Sequence, residues 1–227
     1  MIFGNGLLAK TFSTSFHDDE DVLVFASGVS NSKETSQDAF RRERTLLDMA
    51  LAQRKLILYF STCSVNDPEL FHTPYVQHKL AMERLISDAR RFCIFRLPQV
   101  VGNTPNPHTL TNFLYRQIKG QLPFYILKRA KRNLIDVCDA AKIVTHLVTT
   151  KRAEGVITNV ACPYSVDIAE LVCTFENVLG IQAVCDTIDA GASYEIETVL
   201  STKIAKEVGV IFDPQYVKNL IRKYYAK

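Results

Sequence analysis

The chain has 227 residues, of which 47% are hydrophobic and 22% charged, and its formal net charge is +3. Such a composition supplies a sizeable core and excludes disorder, and scattered, mildly basic charge gives no reason to expect nucleic acid as a partner. No stretch approaches the roughly 20 apolar residues that cross a membrane, and the opening MIFGNGLLAKTF lacks the basic leader of a signal peptide, so a soluble cytoplasmic protein with no membrane association is expected.

The elements read as short apolar runs bounded by turn residues. MIF opens a first strand and 7–16 a short helix. VLVFA (22–26) is a buried-strand pattern, followed by an amphipathic helix over 37–53 with Phe40, Leu47 and Ala50 on or near one face. LILYF (56–60) is the next strand. A helix over 75–91 starts behind Pro74, which suits a first helical turn, and CIFRL (93–97) closes the regular series. Continuous apolar strands alternating with helices predict a doubly wound parallel α/β layer with right-handed crossovers.

After Gly102 the pattern changes. GNTPNPHTLTN reads as a loop, 110–119 as a helix, PFYIL as a short strand, and NLIDVCDAAKIVTHLVTT as a strand entering a helix. GVITNVA (155–161) is a further strand; then come a helix over 167–179, a variable stretch and two C-terminal helices. The expected organisation is a nucleotide-binding core over 1–102, completed by about 134–161, with 103–133 and 162–227 forming a small lobe over the carboxyl ends of the strands, where open α/β sheets bind ligands. The six cysteines, Cys63, Cys93, Cys138, Cys162, Cys173 and Cys185, show no C-x-x-C pair and no metal-ligand spacing to histidine. Reduced thiols and no metal are expected.

Two constellations carry chemistry. FGNGLLA places Gly4, Gly6 and Ala9 in a G-x-G-x-x-A pattern at a strand–helix junction, which is either a phosphate-binding turn or only a tight turn. YFSTCSVNDPELFHTPYVQHK places Ser61-Thr62 at a strand end and Tyr75-x-x-x-Lys79 at the start of a helix. The i, i+4 spacing puts Tyr75 and Lys79 on one helical face. A phenol titrates near 10, too high for ready proton exchange near neutrality, and a nearby ammonium lowers it. Thr62 would then hold a carbonyl or alcohol beside the phenol.

The order FGNGLLA, VLVFASGVS, LYFSTCSV, YVQHK, FRLPQVVG, RNLIDVCDAAKIV resembles the extended short-chain dehydrogenase/reductase superfamily and, more narrowly, its nucleotide-sugar epimerase/dehydratase/reductase family. The resemblance implies a Rossmann-like fold, NAD or NADP as cofactor, and a nucleotide-activated sugar, in reduced or 4-keto form, as substrate, as in bacterial surface polysaccharide synthesis. It makes Thr62, Tyr75 and Lys79 catalytic, with Lys79 also reaching the nicotinamide ribose. It places Gly4, Asn5, Gly6, Leu7, Leu8, Ala26, Ser27, Gly28, Ser61, Tyr75, Lys79 and Pro98 along the cofactor, and Gln99, Asn112 and Arg132 along the substrate. A homodimer through the helices over 37–53 and 75–91 is the family habit.

The chain also departs from that family. Between Gly6 and Val22 there is room for one helix and a turn, so the usual second and third strands are missing and MIF becomes a sheet edge. The acidic residue that holds the adenosine ribose about 20 positions after the glycines has no counterpart, since that place falls near Ala26. Arg41, Arg42 or Arg44 would compensate by taking a 2′-phosphate. Cys63-Ser64 follows Thr62 in place of the Asp-Glu of dehydratases, and Glu43 stands where the family commonly has Asn. The main alternative is a non-catalytic dinucleotide-binding or scaffold protein of reductase-like fold; a third reading is an oxidoreductase acting on another small carbonyl compound.

Overall fold

Alternate residues of the short apolar strands enter opposite layers, and that parity organises the molecule. The computed structural model describes residues 1–226. The first half runs β1 (Ile2–Phe3), α1 (Leu7–Phe16), β2 (Val22–Phe25), α2 (Gln37–Leu51), β3 (Leu56–Thr62), α3 (Pro74–Ser87) and β4 (Phe92–Leu97). The second half runs β5 (Gln99–Val101), α4 (Leu110–Lys119), β6 (Phe124–Leu127), β7 (Lys131–Asp136), α5 (Val137–Thr149), β8 (Ile157–Asn159), β9 (Ser165–Asp167), α6 (Ile168–Leu179), β10 (Cys185–Ile188), α7 (Val199–Glu207) and α8 (Tyr216–Tyr225).

The main sheet has the order β1-β2-β3-β4-β8, and every pair is parallel. Val22, Val24, Leu58, Phe60 and Phe95 face α1 and α5. Leu23, Phe25, Ile57, Tyr59 and Ile94 face α2 and α3. Both faces are covered, so the strands read as unbroken apolar runs. β1 pairs directly with β2 and forms the edge, because no strand lies between α1 and β2. The fold is therefore a shortened Rossmann-like layer.

A second core lies beyond the sheet, where Leu114, Ile118, Phe124, Leu134, Leu171, Phe175 and Leu220 pack together. Three strands not expected from the sequence build it up. β5 pairs with β7, β7 with β9 in antiparallel fashion, and β10 with β6. Each is three or four residues long and partly exposed, so none has an apolar run to betray it. α8 is fastened to the start of α5: Asp136 accepts from Lys223 Nζ (2.6 Å) and Tyr224 OH (3.1 Å), and the Tyr216 hydroxyl donates to Asp139 (2.9 Å).

Helix ends follow local chemistry. Thr73 caps α3 with Pro74 in its first turn, and Ser36 caps α2. α2 stops at Leu51, short of 53, where Arg54 takes a positive φ of 56°. α3 stops at Ser87, short of 91.

Candidate active site

The glycine turn joins β1 to α1, and its glycines have different reasons to be glycine. Gly4 has φ +127°, and a Cβ there would lie 2.5 Å from the Ala26 carbonyl oxygen. Close packing against the end of β2 requires it. Gly6 is the N-cap of α1 with an ordinary φ of −78°, and no side chain caps the helix. A Cβ on Gly6 would meet nothing within 4 Å. The turn therefore presents open space before an uncapped helix N-terminus, which suits a pyrophosphate. Asn5 is exposed, and Leu8 and Ala26 join the rim of the core beneath. Leu7 turns inward, within 3 Å of where a Cβ on Gly102 would stand.

Past β2, the Ala26–Ser27–Gly28 segment reaches the second constellation. Gly28 lies over Lys79: a Cβ there would be 2.6 Å from Nζ. Lys79 is only 2% exposed. Its ammonium donates to Glu43 Oε1 (3.0 Å) and to the Tyr59 hydroxyl (3.1 Å). Glu43 is fully buried and also accepts from the Val29 backbone N–H (2.6 Å), Tyr59 OH (2.7 Å) and His78 Nε2 (3.0 Å). Burial opposes the Glu43 charge, but Lys79 and these hydrogen bonds outweigh it and hold the carboxyl well below the usual range.

Tyr75 is buried beside Thr62, whose hydroxyl favours its ionised form, and Lys79 does the same. Burial is nevertheless the larger effect, and the phenol titrates above its ordinary value of 10. This corrects the expectation that Lys79 brings the phenol toward neutrality: the low dielectric penalises the phenolate, and Glu43 answers part of the lysine charge. Thr62 accepts from the Ser64 N–H (3.1 Å) at the start of a 3-10 turn (Cys63–Asn66). The buried Ser61 hydroxyl has no hydrogen-bond partner. An orphan hydroxyl at this strand end and the open space at Gly6 both fit a bound dinucleotide.

The substrate-side residues are placed less uniformly. Pro98 and Gln99 lie half-buried where β4 passes into β5. Arg132 Nη1 donates to the Lys131 carbonyl (2.7 Å) and lies in the neighbourhood of Tyr194, whose phenol burial pushes up. Asn112 offers no free amide: Nδ2 donates to Thr104 O (2.9 Å) and Asn106 O (2.7 Å), and Oδ1 accepts from Tyr225 OH (2.7 Å). In this structure it holds the 104–106 loop. Arg41 pairs with Asp38 and Arg44 with Asp48, while Arg42 donates to the Ser27 carbonyl (3.1 Å).

Tyr59, His78 and Tyr194 were not legible as site residues. Tyr59 sits inside an apolar run and His78 beside a lysine, whereas Glu43 carried a signal, since it interrupts the stripe Phe40, Leu47, Ala50 at helical spacing. A surface hollow of about 720 Å³, lined by Leu51, Arg54, Lys55 and Arg91 among others, lies at the opposite ends of the strands and shares no residue with this site. Among the described residues, no group of three or more His, Cys, Asp or Glu is arranged to hold a metal ion, and no helix is long and apolar enough to cross a membrane. Burial pushes the Cys63 thiol, beside Thr62, up to about 12, which leaves it a poor nucleophile.

Residues 20–161 match the family model described as the NAD dependent epimerase/dehydratase family. The match begins beyond the glycine turn, so the reading of Gly4 and Gly6 stands on their geometry. No curated protein matches the chain significantly by sequence. Solved structures do share its fold. A UDP-glucuronic acid 4-epimerase from Bacillus cereus, in complex with UDP-glucuronic acid and NAD, is 17% identical over 97% of this chain and 77% of its own, with a TM-score of 0.69. A UDP-glucose 4-epimerase from Bifidobacterium longum, with NAD+ and UDP, is 17% identical over 97% and 80%, with a TM-score of 0.70. RMD from Pseudomonas aeruginosa, complexed with NADPH, is 15% identical over 98% and 88%, with a TM-score of 0.64.

Proposed function

The chain belongs to the NAD-dependent epimerase/dehydratase family, and from that premise we propose that it is an NAD(P)-dependent enzyme acting on a nucleotide-activated sugar, as a 4-ketoreductase or an epimerase. The observation that carries this reading is the convergence of Thr62, Tyr75 and Lys79 at the carboxyl end of β3, on the same sheet edge as the open Gly6 turn that follows β1. When bound, the nicotinamide supplies the hydride chemistry. The chain's own residues do the rest. Backbone N–H groups of α1 hold the pyrophosphate, and Ser61 and Lys79 face the nicotinamide end. Thr62 orients the sugar oxygen, and Tyr75 exchanges its proton. Gln99 and Arg132 face the nucleotide diphosphate, and the second core with Tyr194 forms the substrate lobe. The neighbours whose titles name UDP-sugars with NAD, and the one that names NADPH, support both cofactors as candidates.

We place the enzyme in the cytoplasm, as a homodimer joined through α2 and α3; a monomeric mass in solution would remove that arrangement. The test of function is titration of the purified protein with NADH and NADPH, followed by fluorescence, then a screen of UDP- and TDP-linked 4-keto sugars. Saturable binding with turnover supports the proposal. The bare adenosine side, where the second and third strands are missing, favours one competing reading, a scaffold of reductase-like fold. Failure to bind either cofactor at millimolar concentration would select it.

A further inference from the structure

Glu43 sits in the run Arg41-Arg42-Glu43-Arg44, whose arginines are exposed while the glutamate is fully buried. Its partners come from the segment after β2 (Val29), from β3 (Tyr59) and from α3 (His78 and Lys79). The carboxylate thus ties the wall of the cofactor cleft to the lysine of the catalytic pair. Two of the three ammonium donors of Lys79 are committed to Glu43 and Tyr59. An ammonium 3.0 Å from a buried carboxylate acts on its surroundings as a dipole, whose field falls off faster than that of a free charge. An asparagine at this position, as in the family pattern, would leave the charge uncancelled.

We propose that Glu43 is a positioning residue that neutralises Lys79, so that the site presents Tyr75 as a neutral phenol and is set up to reduce a carbonyl. The proposal rests on the functional reading above and chooses a direction within it. A bound reduced nicotinamide would supply the hydride to the carbonyl carbon, and as the π pair moves to oxygen that oxygen would take the Tyr75 proton. The sugar is reduced, the nicotinamide oxidised, and the phenolate regains a proton from water. An alcohol oxidation, the opening step of an epimerase, would need the phenolate first. The groups around the phenol are Lys79 on its own helix, Thr62 and Tyr59 on β3, Cys63 in the following turn and Glu43 on α2. Burial is the main reason that it titrates high, and Glu43 adds to it.

The test is a spectrophotometric tyrosinate titration of the full ligand-free chain, comparing wild type with Glu43→Gln and isolating Tyr75 by subtraction of Tyr75→Phe in each background. In wild type, Tyr75 stays neutral through about pH 9; in Glu43→Gln its ionisation moves down by about one pH unit or more, because the phenolate becomes the nearest counter-charge to Lys79. No shift, an upward shift, or a shift that persists in Tyr75→Phe, which would assign it to Tyr59, overturns the proposal. If Glu43→Gln does not fold, Glu43→Asn replaces it, and the wild-type titration still decides, since ionisation of Tyr75 near pH 7 overturns the proposal without any variant. In an active enzyme, the alkaline limb of kcat for carbonyl reduction moves with the titration. Absence of turnover on every nucleotide sugar would overturn the functional reading and the reductive direction with it, a result separate from the tyrosine titration.

Discussion

The two ends of the proposed cofactor cleft are built to different standards. At the nicotinamide end, buried side chains from β3, α2 and α3 lock Lys79 through Glu43, Tyr59 and His78, with the buried Tyr75 one turn away on α3. At the adenosine end stands a two-residue edge strand, an exposed Asn5 and no carboxylate. On the proposed reading, the reacting end of the site is kept rigid by residues of the core while the anchoring end is cut back. Orientation then comes from the core and affinity from little more than the pyrophosphate turn.

Substitutions can break that contrast. The largest effect is expected from Tyr75→Phe, which should cut turnover by about 10²–10⁴-fold while lowering cofactor affinity far less; stopped assays and a cofactor titration on the same sample check both halves. Gly4→Ala comes next. Its Cβ would press on the Ala26 carbonyl at a positive φ, and the expected cost is about 2–3 kcal/mol of stability in urea unfolding. Gly6→Val sharpens the contrast, because the backbone there is extended and the space is open. Folding stability should hold while NAD(P)H affinity falls about tenfold, or about 1.4 kcal/mol.

The smallest effect is a pH dependence at the rigid end. The Glu43 carboxyl is held below its unfolded value of 4.5. A depressed carboxyl contributes stability that is fully present above that value and is lost as pH falls through its folded value. Unfolding midpoints should therefore decline below about pH 4.5, and Glu43→Gln should flatten that decline. An unchanged acid limb would mean that the network is not held by charge.

Much of this architecture was legible in the chain because β2, β3 and β4 are covered on both faces and show it as unbroken apolar runs. The missing strands were legible too, since 15 residues between Gly6 and Val22 hold only α1 and a turn. β5, β9 and β10 were not, because strands this short and half-exposed take their pairing from tertiary neighbours and not from their own pattern. The site divides the same way. Thr62, Tyr75 and Lys79 are local in sequence, so that their nearness follows from position and spacing, while the roles proposed for them come from the family resemblance. Glu43 carried a partial signal, its place in the stripe of Phe40, Leu47 and Ala50, but its partners could not be read, because Val29, Tyr59, His78 and Lys79 come from three other segments. Whether Lys79 lowers or merely moderates the phenol's titration depends on burial, which spacing does not encode.

The edge position of β1 has a dynamic consequence. Val24 and Ala26 donate their amides to Met1 O (2.9 Å) and Phe3 O (2.8 Å), and among the described residues no strand backs β1 on its other side. So short a ladder opens easily, and its exchange with solvent deuterium should be fast relative to β3. The Gly4–Gly6 turn hangs directly from β1, so a dinucleotide held by that turn must hold the strand as well. Protection of the Val24 and Ala26 amides then becomes a gauge of occupancy, rising with dinucleotide concentration.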